Sequence, residues 1–85
     1  MKSAPRRITE ADLAIIAIAK RVERGYLLRN TRVGKGLSQT DVAKSAGISL
    51  ASYADLESGI ESSDADIDKV FKILGIPSDL SQFND

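Results

Sequence analysis

The sequence predicts an all-α fold, and three observations carry that expectation. Apolar residues recur at three- and four-residue spacing in successive stretches. Each candidate helix start carries a serine or threonine, and each candidate end carries a glycine. No stretch alternates apolar and polar residues as a half-buried strand does. Eighty-five residues make one small domain, able to bury about 60–65% of its unfolded-chain surface, so self-association would add stability.

Residues 1–8 read as a flexible basic arm. The stretch lacks periodicity, contains Pro5 and carries Lys2, Arg6 and Arg7. Such an arm can reach a DNA minor groove, or it can fray with no role. Residues 9–85 read as a single domain. Thr9 is the expected N-cap of the first helix, Asp12 its capping-box partner, and Ile8 against Leu13 a hydrophobic staple. This helix runs on to Gly34 and Gly36. Gly25 falls in its middle at a cost of about 1 kcal/mol against alanine, so one long helix and two pieces both stay open.

Within it, Leu13–Ala19 (LAIIAIA) is apolar on nearly every side, which argues for burial on more than one face. That burial comes either from packing over its own domain or from a dimer interface. The second half is amphipathic, with Leu27, Leu28 and Thr31 inward and Arg21, Arg24, Arg29 and Lys35 toward water or phosphate.

The second helix is expected over Gln39–Ala46, capped by Ser38 with Asp41 in capping-box position. Gly47 ends it, Ile48 plugs the turn, and Ser49 opens a third helix over Leu50–Ser58, closed by Gly59. Two helices on a glycine turn make a helix-turn-helix. The fourth starts at Ser62 or Ser63, where Asp64, Asp66 and Asp68 suit the positive N-terminal end. Ile67, Val70, Phe71 and Leu74 give it one apolar face; Gly75 and Pro77 stop it. Ser78–Phe83 adds a final turn, making about five helices.

Composition excludes several functions. Cysteine and histidine are both absent, which removes a disulfide framework, the commonest metal ligand and the commonest general base. An enzyme would have to use a carboxylate pair, yet the acids gather on exposed-looking helix starts and loops. Gly34-Lys35-Gly36 lacks the rest of a phosphate-binding loop. No cofactor, metal or small-molecule ligand is expected. No stretch is long and apolar enough to span a membrane. Leu13–Ala19 is like a signal-peptide core, but Glu10 and Asp12 precede it and Lys20-Arg21 replace a cleavage site, so a cytoplasmic location is expected. The zero net charge hides a division: residues 1–46 carry ten basic and four acidic side chains, residues 47–85 two and eight. A basic half can meet phosphate, although ordinary solvated surface accounts for the same division.

The ordered set Leu28-Arg29-x2-Arg32-x3-Gly36-Leu37-Ser38-Gln39-x2-Val42-Ala43-x3-Gly47-Ile48-Ser49, then Tyr53, Leu56-Glu57-x-Gly59 and Leu74-Gly75-Ile76, resembles the lambda-repressor/Cro-like (XRE) helix-turn-helix family. The resemblance covers about residues 26–80 and leaves 9–25 as an N-terminal helical extension. It implies a lambda-repressor-like bundle. It also implies that Gln39 touches the DNA backbone and braces the recognition helix, and that Arg32 and Glu57 bridge the first helix to the third. Ala43, Gly47, Ile48, Tyr53 and Leu56 match core and turn positions. Leu50, Ala51, Ser52 and Asp55 match positions that face base edges, beside the cap Ser49. Phosphate contacts fall to Arg29, Arg32, Lys35, Gln39, Lys44 and the arm.

The recognition positions depart from the family pattern. They hold no Arg, Lys, Gln or Asn able to bond two base atoms at once. Ser52 can bond a base edge or phosphate, Leu50 and Ala51 can touch a thymine methyl, and Asp55 can accept from cytosine while repelling phosphate. Glu61 and Asp64 follow. The expected function is therefore a small sequence-specific transcriptional regulator. It would be a homodimeric repressor or controller on a palindromic operator in double-stranded DNA. The alternative is a helix-turn-helix that binds a protein partner, as an antitoxin or antiactivator, through an acidic face of Asp55, Glu57, Glu61 and Asp64.

Overall fold

A computed structural model describes residues 8–77. Among these residues there are four helices and no strand: α1 (Glu10–Gly34), α2 (Gln39–Ala46), α3 (Leu50–Glu57) and α4 (Asp64–Leu74). The expected arm lies almost wholly, and the final turn at Ser78–Phe83 entirely, outside the described residues.

The capping signals act as the sequence predicts. Thr9 and Ser38 each form a complete capping box, with Asp12 and Asp41 respectively. Ser49 and Ser63 cap α3 and α4 through their hydroxyls. Ser62 is not the cap; its hydroxyl donates instead to the Ile60 carbonyl at 3.1 Å. The Ile8–Leu13 staple is loose, since both residues remain more than half exposed.

One core holds the bundle. Leu28 comes from α1, Val42 and Ala43 from α2, Tyr53 and Leu56 from α3, and Ile67, Val70, Phe71 and Leu74 from α4. Ile76 folds back after α4, and Leu27, Leu37, Ala46 and Ile48 pack around the edge. Each fully buried aliphatic contributes about 1.5–3 kcal/mol of transfer free energy, so these residues dominate stability.

α1 is one continuous helix of 25 residues, roughly 37 Å long. Gly25 does not break it, and the reason is tertiary. Gly25 is buried where the end of α3 crosses α1, and a Cβ there would lie 2.4 Å from the Glu57 carbonyl oxygen. The glycine allows close approach while the i to i+4 ladder continues. Three residues earlier, Gly59 lies against Val22, and Arg21 Nε donates to the Gly59 carbonyl at 3.1 Å.

Leu13–Ala19 does not pack over its own bundle. Leu13, Ile15, Ile16 and Ile18 are 57%, 64%, 42% and 51% exposed. An 85-residue chain has too little core to cover both ends of so long a helix, and the bundle closes on its second half.

Candidate nucleic-acid interface

The α2–α3 turn is set by Gly47, whose φ of +73° lies in the left-handed region open to glycine. Gly47 N–H donates to Lys44 O at 3.2 Å and Ile48 N–H to Ala43 O at 3.0 Å, the paired bonds of a Schellman ending. Ile48 then packs at the core edge and Ser49 starts α3 at once. No residue is spare, so the angle between the two helices is determined by the turn and by Val42, Ala43, Tyr53 and Leu56 beneath it.

α3 is held at its C-terminal end and open at its N-terminal end. Glu57 is the hub of the held end. Arg32 Nε donates to Glu57 Oε2 at 2.6 Å and Arg32 Nη2 to Oε1 at 3.2 Å, a two-pronged ion pair. Gln39 Nε2 donates to Oε1 at 3.0 Å, and the Tyr53 hydroxyl donates to Oε2. Arg32 Nη1 also reaches the Leu37 carbonyl at 2.9 Å, tying the α1–α2 turn into the same cluster. The two charged side chains are 13% and 6% exposed. Burial alone would push the Glu57 carboxyl up; the bonds from Arg32, Tyr53 and Gln39 outweigh it and hold the carboxyl below its ordinary value. The Glu57 bond raises the Arg32 pKa, while burial and then the Glu57 bond keep the Tyr53 phenol protonated well above its ordinary range.

At the open end, Leu50 is 48% exposed and Ala51 is exposed. The Ser49 hydroxyl oxygen accepts from Ser52 N–H at 3.0 Å, and the Ser49 hydroxyl donates to Ser52 Oγ at 2.9 Å. Ser52 therefore keeps its own O–H to donate outward. Asp55 is half-buried one turn further on.

The structure divides the expected phosphate contacts. Arg29, Lys35 and Lys44 are exposed cations near the ends of α1 and α2. Arg32 and Gln39 are half-buried and bonded to Glu57, so they brace α3. Gln39 retains its amide oxygen and one N–H beyond that bond.

Tyr53 matches a core position and is buried there, and its hydroxyl also bonds Glu57; the spacing of four residues on one helix is the sequence signal for that bond. The contacts of Arg21 and Gly25 with the end of α3 left no local signal. Arg24, expected to face water or phosphate, instead has its Nε buried without a hydrogen-bond partner; burial, then repulsion by Arg21, lowers its pKa.

A family model described as helix-turn-helix matches residues 28–80. No curated protein and no solved structure matches the chain. The match begins at Leu28, where α1 enters the core, and leaves the exposed half of α1 outside.

Proposed function

Since the chain belongs to the helix-turn-helix family, of the XRE/Cro type, whose members bind DNA and are not catalysts, we propose that it is a sequence-specific transcriptional regulator. In this reading it acts as a homodimeric repressor or controller on a palindromic operator, with α3 of each copy in the major groove. The observation that carries the reading is the polarity of α3. Its C-terminal end is locked by Glu57, Arg32, Tyr53 and Gln39, while Leu50, Ala51 and the Ser52 hydroxyl stand open at its N-terminal end. A recognition helix of this class presents its N-terminal residues to base edges, and a rigid mount orients them before contact.

Arg29, Lys35 and Lys44 serve the phosphates, with the basic arm in reserve for the minor groove. Base readout is sparse: two thymine-methyl contacts, one hydroxyl and one carboxylate. Water-mediated contacts and operator shape carry the remaining discrimination.

The test is a mobility shift with duplex from upstream of the chain's own gene, at low and physiological salt, with excess unrelated duplex. A discrete shift that survives competitor, and that Arg29→Ala weakens, is the expected result. A shift that competitor abolishes at every salt overturns the sequence-specific reading.

A second reading rests on the lack of any bidentate base-reading side chain on α3 and on the acids Asp55, Glu61 and Asp64. In it the same face docks on a basic protein, as in an antitoxin or antiactivator. Arg29→Ala leaves such binding intact and Asp55→Arg destroys it; the first reading demands the opposite for Arg29.

A further inference from the structure

Three residues of α1 that lie before the matched family segment touch the end of α3. Arg21 Nε donates to the Gly59 carbonyl at 3.1 Å, Val22 lies against Gly59, and Gly25 lies beneath the Glu57 carbonyl. On the far side of Gly25, Arg32 holds the Glu57 carboxylate with two bonds. Arg21, Gly25, Leu28 and Arg32 step by four, three and four residues, so they share one face of α1. The two arginines are eleven residues, roughly 16 Å, apart along that face. Their holds on the end of α3 are only two residues apart, at Glu57 and Gly59.

Charge does not account for the place of Arg21. Its acceptor is a neutral carbonyl, and nearby Arg24 repels it. What the contact needs is an N–H at the Nε position. The acceptor is itself well fixed. Gly59 stands at a φ of +77°, and α3 closes there with Gly59 N–H donating to Leu56 O at 3.3 Å and Ile60 N–H to Asp55 O at 2.9 Å.

We propose that Arg21 is a positioning residue for α3: with Arg32 it sets the angle at which α3 crosses α1, and hence the direction in which Leu50, Ala51 and Ser52 point. The proposal rests on the DNA-binding reading of α3, and it gives Arg21 a part in that reading without placing it on a phosphate. One hold would fix the end of α3 and leave it free to swivel. Two holds, on either side of Gly25, fix the angle. Leu50 lies seven residues from Glu57, roughly 10 Å along the axis. A swivel of about 10° at the held end carries Leu50 by roughly 2 Å, several times the ~0.5 Å range of good hydrogen-bond lengths. Loss of the Arg21 hold therefore blurs the base contacts while Tyr53 and Leu56 stay packed in the core.

The experiment compares three replacements at Arg21 in the full chain. A glutamine Nε2 is as many bonds from Cα as an arginine Nε, so Arg21→Gln keeps a donor at that point and loses the charge. Arg21→Lys keeps the charge but puts a methylene there, and Arg21→Met has neither donor nor charge. Without DNA, amide hydrogen exchange at Ser58, Gly59 and Ile60 is expected to quicken about 10-fold in the lysine and methionine variants and to stay within about twofold of wild type in the glutamine variant. Exchange at Val70 and Phe71, in the core, is expected not to change. The second readout is the affinity for duplex from upstream of the chain's own gene relative to unrelated duplex. That ratio is expected to fall about 10-fold in the lysine and methionine variants and to be kept by glutamine, with the salt slope of wild type in all three. A phosphate contact gives the other order: lysine keeps the affinity, while glutamine and methionine lose it on both duplexes with a shallower slope. That result overturns the proposal. Quickened exchange with an unchanged affinity ratio also overturns it, because the bond then serves the fold alone. A wild-type chain that does not distinguish the duplexes overturns the DNA-binding reading, and the proposal with it; failure of the proposal alone shows only among variants of a wild type that does.

Discussion

Glu57 is the residue on which the candidate interface turns, because four bonds from three side chains meet on its carboxylate. Removing a single partner leaves charge stranded in a nearly closed site. Arg32→Ala is therefore expected to destabilise the fold by about 3 kcal/mol, read from the urea midpoint. The same cluster has a pH signature. Glu57 is held below its ordinary 4.5, so its contribution is complete above 4.5 and is lost as pH falls through the lowered value. Asp41, held low by the Ser38 backbone N–H and then its hydroxyl, titrates in the neighbouring window below its ordinary 3.8. Acid unfolding followed by circular dichroism is expected to flatten below pH 4.5 in Glu57→Gln, and over a lower range in Asp41→Asn. An unchanged acid limb in Glu57→Gln would place the stabilising bonds elsewhere.

At the scale of elements, α1 and α3 meet at Gly25, and the sign of a substitution there reverses the usual helix rule. Alanine in a helix interior is ordinarily better than glycine by about 1 kcal/mol. At Gly25 the new methyl would sit 2.4 Å from the Glu57 carbonyl oxygen, so Gly25→Ala is expected to lower stability by about 1–3 kcal/mol. Gly34 near the end of the same helix has nothing within 4 Å of an added Cβ. Gly34→Ala is accordingly expected to leave stability unchanged or to raise it by up to about 1 kcal/mol. Thermal melts of the two variants decide the matter; equal shifts in one direction would mean that α3 does not press on α1. Ser49 makes a comparable local contribution: Ser49→Ala is expected to cost about 1 kcal/mol by uncapping α3 and to release Ser52 at the open end.

Across the whole molecule, the structure separates a fixed head, which holds the helix-turn-helix, from a protruding α1. The head carries the exposed cations Arg29, Lys35 and Lys44 near the ends of α1 and α2, after Arg32 is withdrawn into the Glu57 cluster. If a dimer brings six of them to phosphate, the logarithm of affinity is expected to fall with the logarithm of salt at a slope of about −5. Arg29→Ala is expected to reduce that slope by about 2 and to weaken all operators alike, whereas Leu50 and Ser52 variants change the ranking among operators. Mobility shifts across a salt series measure both. A slope near zero would point to a partner other than DNA.

Much of this protein was legible in its sequence because the signals are local. Thr9, Ser38 and Ser49 each act on a backbone group three residues away, and Gly47 acts on its own φ angle. The three- and four-residue spacing of Val70, Phe71 and Leu74 predicts the buried face of α4 without knowledge of what covers it. The resemblance added the Arg32–Glu57 bridge across 25 residues, which no periodicity announces. What only the tertiary structure decided lies where distant segments meet or fail to meet. In one dimension Gly25 leaves one long helix and two pieces both open; in three it is a contact, since the α3 carbonyl that requires it is 32 residues away. Arg32 and Lys35 look alike as basic residues beside a turn, yet one is drawn into an ion pair and the other is left to solvent. The run Leu13–Ala19 demands burial by composition, but whether its own bundle covers it is a property of the packed core, which closes around Leu28 and, among the described residues, leaves the first half of α1 exposed.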